Sequence, residues 1–163
     1  MSLLRAPGKG WARPLLSYLA GALLSGAGLL AVFSAAGAAE PPEVGLWQTV
    51  SDKTGKPEGY IRVTRVGDEL RGTIERGMPG DDPNELCTKC PGERKNQRKI
   101  GMTIMTGLHR KDDWWGGGEI LDPDNGTLYR CRIRAVDSGR KLEVRGYIGF
   151  ALLGRTQTWL RAE

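Results

Sequence analysis

Between Thr127 and Val136 the side chains alternate without a break. Tyr129, Cys131, Ile133 and Ala135 fall on one side, and Arg130, Arg132 and Arg134 on the other. A period of two belongs to a strand, whose successive side chains point to opposite faces; a helix would scatter these residues around its circumference. Three arginines in a row on one side require water there, so this strand sits in a sheet with one solvated face. The pattern recurs in Leu142, Val144, Gly146 and Ile148 against Glu143, Arg145 and Tyr147. It recurs again in Leu70, Gly72 and Ile74 against Arg71, Thr73 and Glu75.

Clusters of Gly, Pro, Asn and Asp punctuate the chain between such runs, and no run holds a helical period for more than two turns. Strands are predicted over 44–50, 59–66, 69–76, 101–109, 115–121, 127–136, 141–148 and 154–161. The fifth is the weakest, because Gly116-Gly117-Gly118 either weakens it or marks a bulge. Asp122-Pro123-Asp124-Asn125-Gly126 reads as a hairpin turn. It superficially resembles a calcium loop, but Ile133 stands where the distal acidic ligand belongs. Eight antiparallel strands with mostly short connections predict an all-β fold, a small antiparallel up-and-down β-barrel whose closure removes exposed edges. Glycines at inward positions such as Gly72 and Gly146 suit tight curvature.

Residues 1–39 differ in kind. Arg5, Lys9 and Arg13 are the only charges before Glu40, an uncharged run follows over 15–33, and small residues close the segment at 34–39. Positive start, apolar middle and small-residue exit are the marks of a secretory signal peptide, with cleavage expected after Ala39 or, alternatively, after Ala36. A retained membrane anchor is the competing reading, since the run is long enough to span. No cysteine lies near the exit and no twin arginine precedes the apolar run, so the general secretory route to the periplasm is expected. The domain is then 40–163, and it is not membrane-embedded once the signal is removed. The chain has 24 basic and 19 acidic residues, and the signal holds three basic and no acidic ones, leaving a net charge of only +2. That balance does not support nucleic-acid binding.

Several segments carry a resemblance. Gly45-Leu46-Trp47-Gln48-Thr49-Val50 opens it, followed by Pro79-Gly80-Asp81-Asp82-Pro83-Asn84 leading to Cys87-x-x-Cys90. Ile120-Leu121-Asp122-Pro123, Gly126, Tyr129, the run 143–149 and Gly154-Arg155-Thr156-Gln157-Thr158-Trp159 continue it. Together they resemble the bacterial domain-of-unknown-function family 2147 over residues 44–161. That resemblance implies an exported single domain with no assigned activity. A looser one is to lipocalin-like barrels, which carry Gly-x-Trp at the start of the first strand and a basic residue near the end of the last. Gly45, Trp47 and Arg161 match. In a closed barrel of even strand number the last strand runs beside the first, so Arg161 can stack on Trp47 as a cation–π contact. This pairing would close one end of the barrel and leave the other for a ligand.

The connection 77–99 is long for a compact domain, and such loops are often functional. It is expected to form a lid stapled by a Cys87–Cys90 disulfide, as suits an exported protein. Two sharper readings compete: a thiol-redox pair, which lacks the surrounding βαβ pattern, and a zinc site of Cys87, Cys90, Cys131 and His109. Cys131, on an apolar strand face, reads as core. His109, Trp114, Trp115, Tyr129 and Arg155 are the candidate ligand-binding residues, aromatic and polar groups that could line one barrel mouth. No Gly-x-Ser-x-Gly elbow is present and His109 is the sole histidine, so no catalytic residue, metal or cofactor is assigned. The expected function is non-enzymatic binding of a small apolar or amphipathic ligand, or of a cell-envelope partner.

Overall fold

Residues 39–163 are described by a computed structural model. The signal-peptide reading and its anchor alternative fall, but for Ala39, outside the described residues. Eight strands follow in order: β1 (Gly45–Val50), β2 (Pro57–Val66), β3 (Glu69–Arg76), β4 (Thr103–Lys111), β5 (Trp114–Asp122), β6 (Thr127–Val136), β7 (Lys141–Tyr147) and β8 (Arg155–Arg161). Each pairs antiparallel with the next, and β8 returns to β1 through Trp47↔Arg161 and Gln48↔Leu160, closing the barrel. All eight strands and the whole core lie in one compact unit that begins at Ala38, so a chain starting at Glu40 carries the complete fold.

The alternation places the side chains as the sequence pattern requires. Leu70, Cys131, Ile133 and Leu142 are fully buried, while Arg71, Arg132 and Glu143 stand on the outer face beside them. Trp47, Val63, Met105 and Leu108 complete the densest part of the core. Burial of a side chain of this size contributes about 1.5–3 kcal/mol each, so these residues are a main source of the hydrophobic stabilisation.

The glycine triplet does not weaken β5. The register shifts between Gly116 and Gly118, a bulge, and the strand runs nine residues. A Cβ on Gly118 would lie 2.0 Å from the Thr106 carbonyl oxygen, so only glycine lets β5 approach β4 this closely.

The long connection departs from expectation. It divides: Gly77, Asp81, Asp82, Glu85 and Lys99 stand at the open end of the barrel, while 86–98 form a pad on its flank. Its ends pair with each other through the Leu86↔Arg98 bridge and the hydrogen bond from Cys87 N to Gln97 O at 2.8 Å. Leu121, on the outer face of β5, is 1% exposed and belongs to one cluster with Cys87 and Cys90. Arg94 reaches Glu119 on that same outer face at 3.9 Å. The reason is physical: Leu121 breaks the polar pattern of the solvated side, and the stapled loop covers it.

Candidate functional site: a cavity open at one end

Alternate connections define two ends. The hairpins β2–β3, β4–β5 and β6–β7 and the segment 41–44 gather at one; the other four connections gather at the opposite end. The first end is plugged. The Arg161 guanidinium lies 4.2 Å from the centre of the Trp47 ring, a cation–π contact. It also donates to the carbonyl oxygens of Pro42, Gly139 and Val44, tying the segment before β1 to the β6–β7 turn. Gly45 has φ +141°, and a Cβ there would lie 2.6 Å from Arg161 Nη1, which accounts for a glycine two residues before the tryptophan.

Glu43 completes the plug. It is 2% exposed. Its Oε2 accepts the Trp115 indole N–H at 3.1 Å, its Oε1 accepts the Ala135 backbone N–H at 3.0 Å, and its carbonyl oxygen accepts the Trp47 indole N–H at 2.8 Å. A carboxylate buried this deeply persists because its oxygens are hydrogen-bonded.

The second end opens into a cavity of about 590 Å³. Its deep wall is apolar, formed by Ile61, Ile74, Ile104, Ile120 and Val144. Thr49, Ser51, Tyr60, Tyr129 and Gln157 are uncharged polar groups that also line the cavity, and Gln157 Oε1 accepts the Trp159 indole N–H at 3.1 Å, which orients its amide. The rim is charged. Asp81, Asp82, Glu85, Asp122 and Asp124 stand on one side, with Lys99 among them; Lys53, Arg76 and Arg155 supply the other cations. Lys99 hydrogen-bonds Glu85 and Asp124 at 2.6 Å each. Burial opposes its charge, but the hydrogen bonds it donates to Asp124 and Glu85, together with their charges, outweigh that and hold its pKa above the ordinary lysine value. Arg155 is ion-paired with Asp52.

The sequence itself carries a family assignment. Residues 45–161 match the family described as uncharacterized protein conserved in bacteria, DUF2147. The chain belongs to that family. The matched span encloses all eight strands of the DUF2147 barrel. No curated protein matches the chain. Among solved structures the barrel is similar to a protein from the human pathogen Helicobacter pylori that belongs to the lipocalin family. That likeness has a TM-score of 0.64 at 19% identity and covers 74% of this chain and 82% of the other. At that identity it establishes a lipocalin-like fold and nothing finer.

The DUF2147 barrel divides the five candidate ligand-binding residues between its ends. Tyr129 and Arg155 line the open cavity. His109, Trp114 and Trp115 lie at the plugged end and share no mouth with them. His109 faces solvent 3.4 Å from Asp68. Trp114 packs on the outer wall, with the Arg132 and Arg134 guanidinium groups 4.3 and 4.2 Å from its ring. Trp115 points inward but is held by Glu43 as part of the plug. The reason is chain direction: β4 ends and β5 begins at the plugged end, while β6 and β8 begin at the open one.

The Cys87–Cys90 disulfide is present, with its Cα atoms 5.4 Å apart. Sγ of Cys87 rests 3.2 Å from the Pro123 carbonyl oxygen, a packing contact because a disulfide sulfur has no proton to donate. The zinc reading does not survive. Both loop cysteines are bonded to each other, His109 is at the far end of the barrel, and no group of three metal-ligating side chains gathers among the described residues. Cys131 is a buried free thiol, and burial pushes its pKa up to about 12. Sequence reasoning missed Glu43, Gln157 and the isoleucines of the deep wall. Alternation along β3 and β7 does place Ile74 and Val144 inward, but nothing local marks Glu43.

Proposed function

We propose that this barrel is a non-enzymatic binder of one small apolar or amphipathic molecule, working in the periplasm after export and removal of residues 1–39. The cavity carries this reading. Its volume of about 590 Å³ falls within the roughly 300–1,000 Å³ of small-molecule sites. Its isoleucine wall suits an apolar chain. The Tyr129 hydroxyl and the Gln157 amide suit one or two oriented polar contacts, and the charged rim suits a head group that stays near water. The disulfide agrees with an oxidising compartment. It gives less support to a thiol-redox role, because exchange requires access to a sulfur and these cysteines are 0% and 2% exposed.

Gly146 offers the test. It lines the cavity, and a Cβ there would meet Tyr129 Cβ at 3.5 Å, an ordinary contact. A side chain at 146 therefore starts from ordinary contacts, and Gly146→Leu extends it into the chamber. Native mass spectrometry of the chain 40–163, recovered from the periplasm, is expected to show a bound mass that denaturation removes and that Gly146→Leu lacks. A fluorescent fatty-acid probe is expected to bind the variant at least about tenfold more weakly, with stability within about 1 kcal/mol of the parent. A parent that carries no mass and binds no probe, or a variant that binds as well as the parent, would reject the reading.

A further inference from the structure

The connection between β7 and β8 is the most apolar exposed segment among the described residues. Ile148, Phe150, Leu152 and Leu153 are 66%, 79%, 92% and 82% exposed. Isolated exposed leucines are ordinary, but four large apolar side chains within six residues of one tip are not. The tip projects from the open end: the strand before it supplies Val144 and Gly146 to the cavity, and the strand after it supplies Arg155 and Gln157.

Part of its backbone is paired within the chain. Leu153 N–H donates to Phe150 O at 3.1 Å, and Gly154 N–H donates to Ala151 O at 3.2 Å. Arg145, on the outer face of β7, donates to Ala151 O at 2.6 and 2.8 Å and to Leu152 O at 3.2 Å. The charge is one-sided as well. No acidic residue occurs over 144–154, where Arg145 is the one charge.

We propose that this loop inserts into the surface of a phospholipid bilayer and docks the open end of the barrel there, with the Arg145 charge at its base toward anionic head groups. Four apolar side chains enter the interface, and Tyr147 lies at head-group level, where amphipathic rings concentrate. The acidic rim formed by Asp81, Asp82, Glu85 and Asp124 belongs to the β3–β4 and β5–β6 connections, so the barrel docks by its β7–β8 edge rather than by the full mouth. The docking does not depend on what fills the cavity, but it would bring the cavity beside a source of amphipathic molecules.

Co-flotation of the chain 40–163 with vesicles of phosphatidylcholine and phosphatidylglycerol tests it. The parent is expected to float, less so as phosphatidylglycerol is withdrawn. The double substitution Phe150→Ser with Leu152→Ser is expected to weaken the partition by about tenfold or more. Both positions are exposed, so the fold does not depend on them. An environment-sensitive dye on Leu152→Cys is expected to shift to the blue on vesicles. The same dye on Arg65→Cys, exposed at the plugged end, is expected not to respond. Cys131 does not compete for the dye, being fully buried. A parent that stays out of both kinds of vesicle would overturn the proposal, as would a serine variant that floats equally. So would a serine change that only abolishes self-association in sedimentation, since the loop would then serve a second copy of the chain. Gly146→Leu is expected to float like the parent, so a failure of cavity binding and a failure of docking are read separately.

Discussion

The two ends of the barrel use the same residue types in opposite ways. At the plugged end Glu43, Trp47, Trp115 and Arg161 hydrogen-bond to one another or to backbone within the chain. At the open end Tyr129, Gln157 and the rim charges line a chamber that the chain itself does not fill. Tryptophan and arginine in a barrel therefore do not by themselves mark a binding site. What decides is whether their polar atoms point at the chain or away from it. The plugged end is where stability should concentrate, and the open end is where substitutions should be tolerated.

Trp47→Ala should have the largest effect. It removes a fully buried indole, its hydrogen bond and the surface on which Arg161 lies. A loss of about 3–5 kcal/mol is expected in chemical denaturation. Glu43→Ala follows. It leaves the Trp115 and Ala135 N–H groups buried without acceptors, an expected loss of about 2–4 kcal/mol, and Glu43→Gln should recover part of it by supplying one acceptor. Binding of an apolar probe at the open end should change little in folded Glu43→Gln. If that variant instead loses the probe as strongly as Gly146→Leu does, the ends are not independent and the contrast fails.

Reducing Cys87–Cys90 should cost less, about 2 kcal/mol, because the ring it closes is short. The loss should be local. Amide exchange over 85–99 should rise while the core strands keep their protection, since the loop packs on the flank and contributes little to the barrel's interior. Without reductant, alkylation should find one thiol, and only after unfolding, because Cys131 is fully buried and its pKa is raised to about 12. Loss of protection throughout the barrel on reduction would show that the flank pad holds the fold and not merely Leu121.

How far this contrast was legible in the sequence depends on range. Strand pairing in an up-and-down barrel is sequential, so alternation and turn residues gave every strand within two residues of its bounds. The Trp47 and Arg161 juxtaposition came from the resemblance to lipocalin-like barrels, with closure placing the two strands side by side. Which end each aromatic occupies required following chain direction from strand to strand. His109 and Trp115 flank the turn at Asp112 and Asp113 and so belong with the plug, while Tyr129 follows the turn at Gly126 and belongs with the cavity. Glu43 was illegible for a different reason. A carboxylate just before a first strand is ordinarily solvated, and only the fold brings the Trp115 and Ala135 donors to it across intervals of 72 and 92 residues.

The smallest effect should come from Lys99, the one rim cation tied to two carboxylates. Its side chain is 16% exposed while those of Glu85 and Asp124 are 56% and 82% exposed, so much of the attraction is screened. Lys99→Met should cost about 0.5–1 kcal/mol near neutral pH and loosen the link between the flank loop and the β5–β6 turn. The pKa of Lys99 is raised in the folded chain, so its ionic contribution is complete below the ordinary lysine value of 10.5 and is lost as pH rises through the higher folded value. The melting-temperature gap between parent and Lys99→Met should therefore stay constant from about pH 6 to pH 9 and narrow only above about pH 10.5. A gap that persists undiminished at about pH 11.5 would mean that Lys99 holds the rim through its aliphatic stem. The open end would then be built by packing, as the plugged end is, and the difference between them would lie in the open chamber alone.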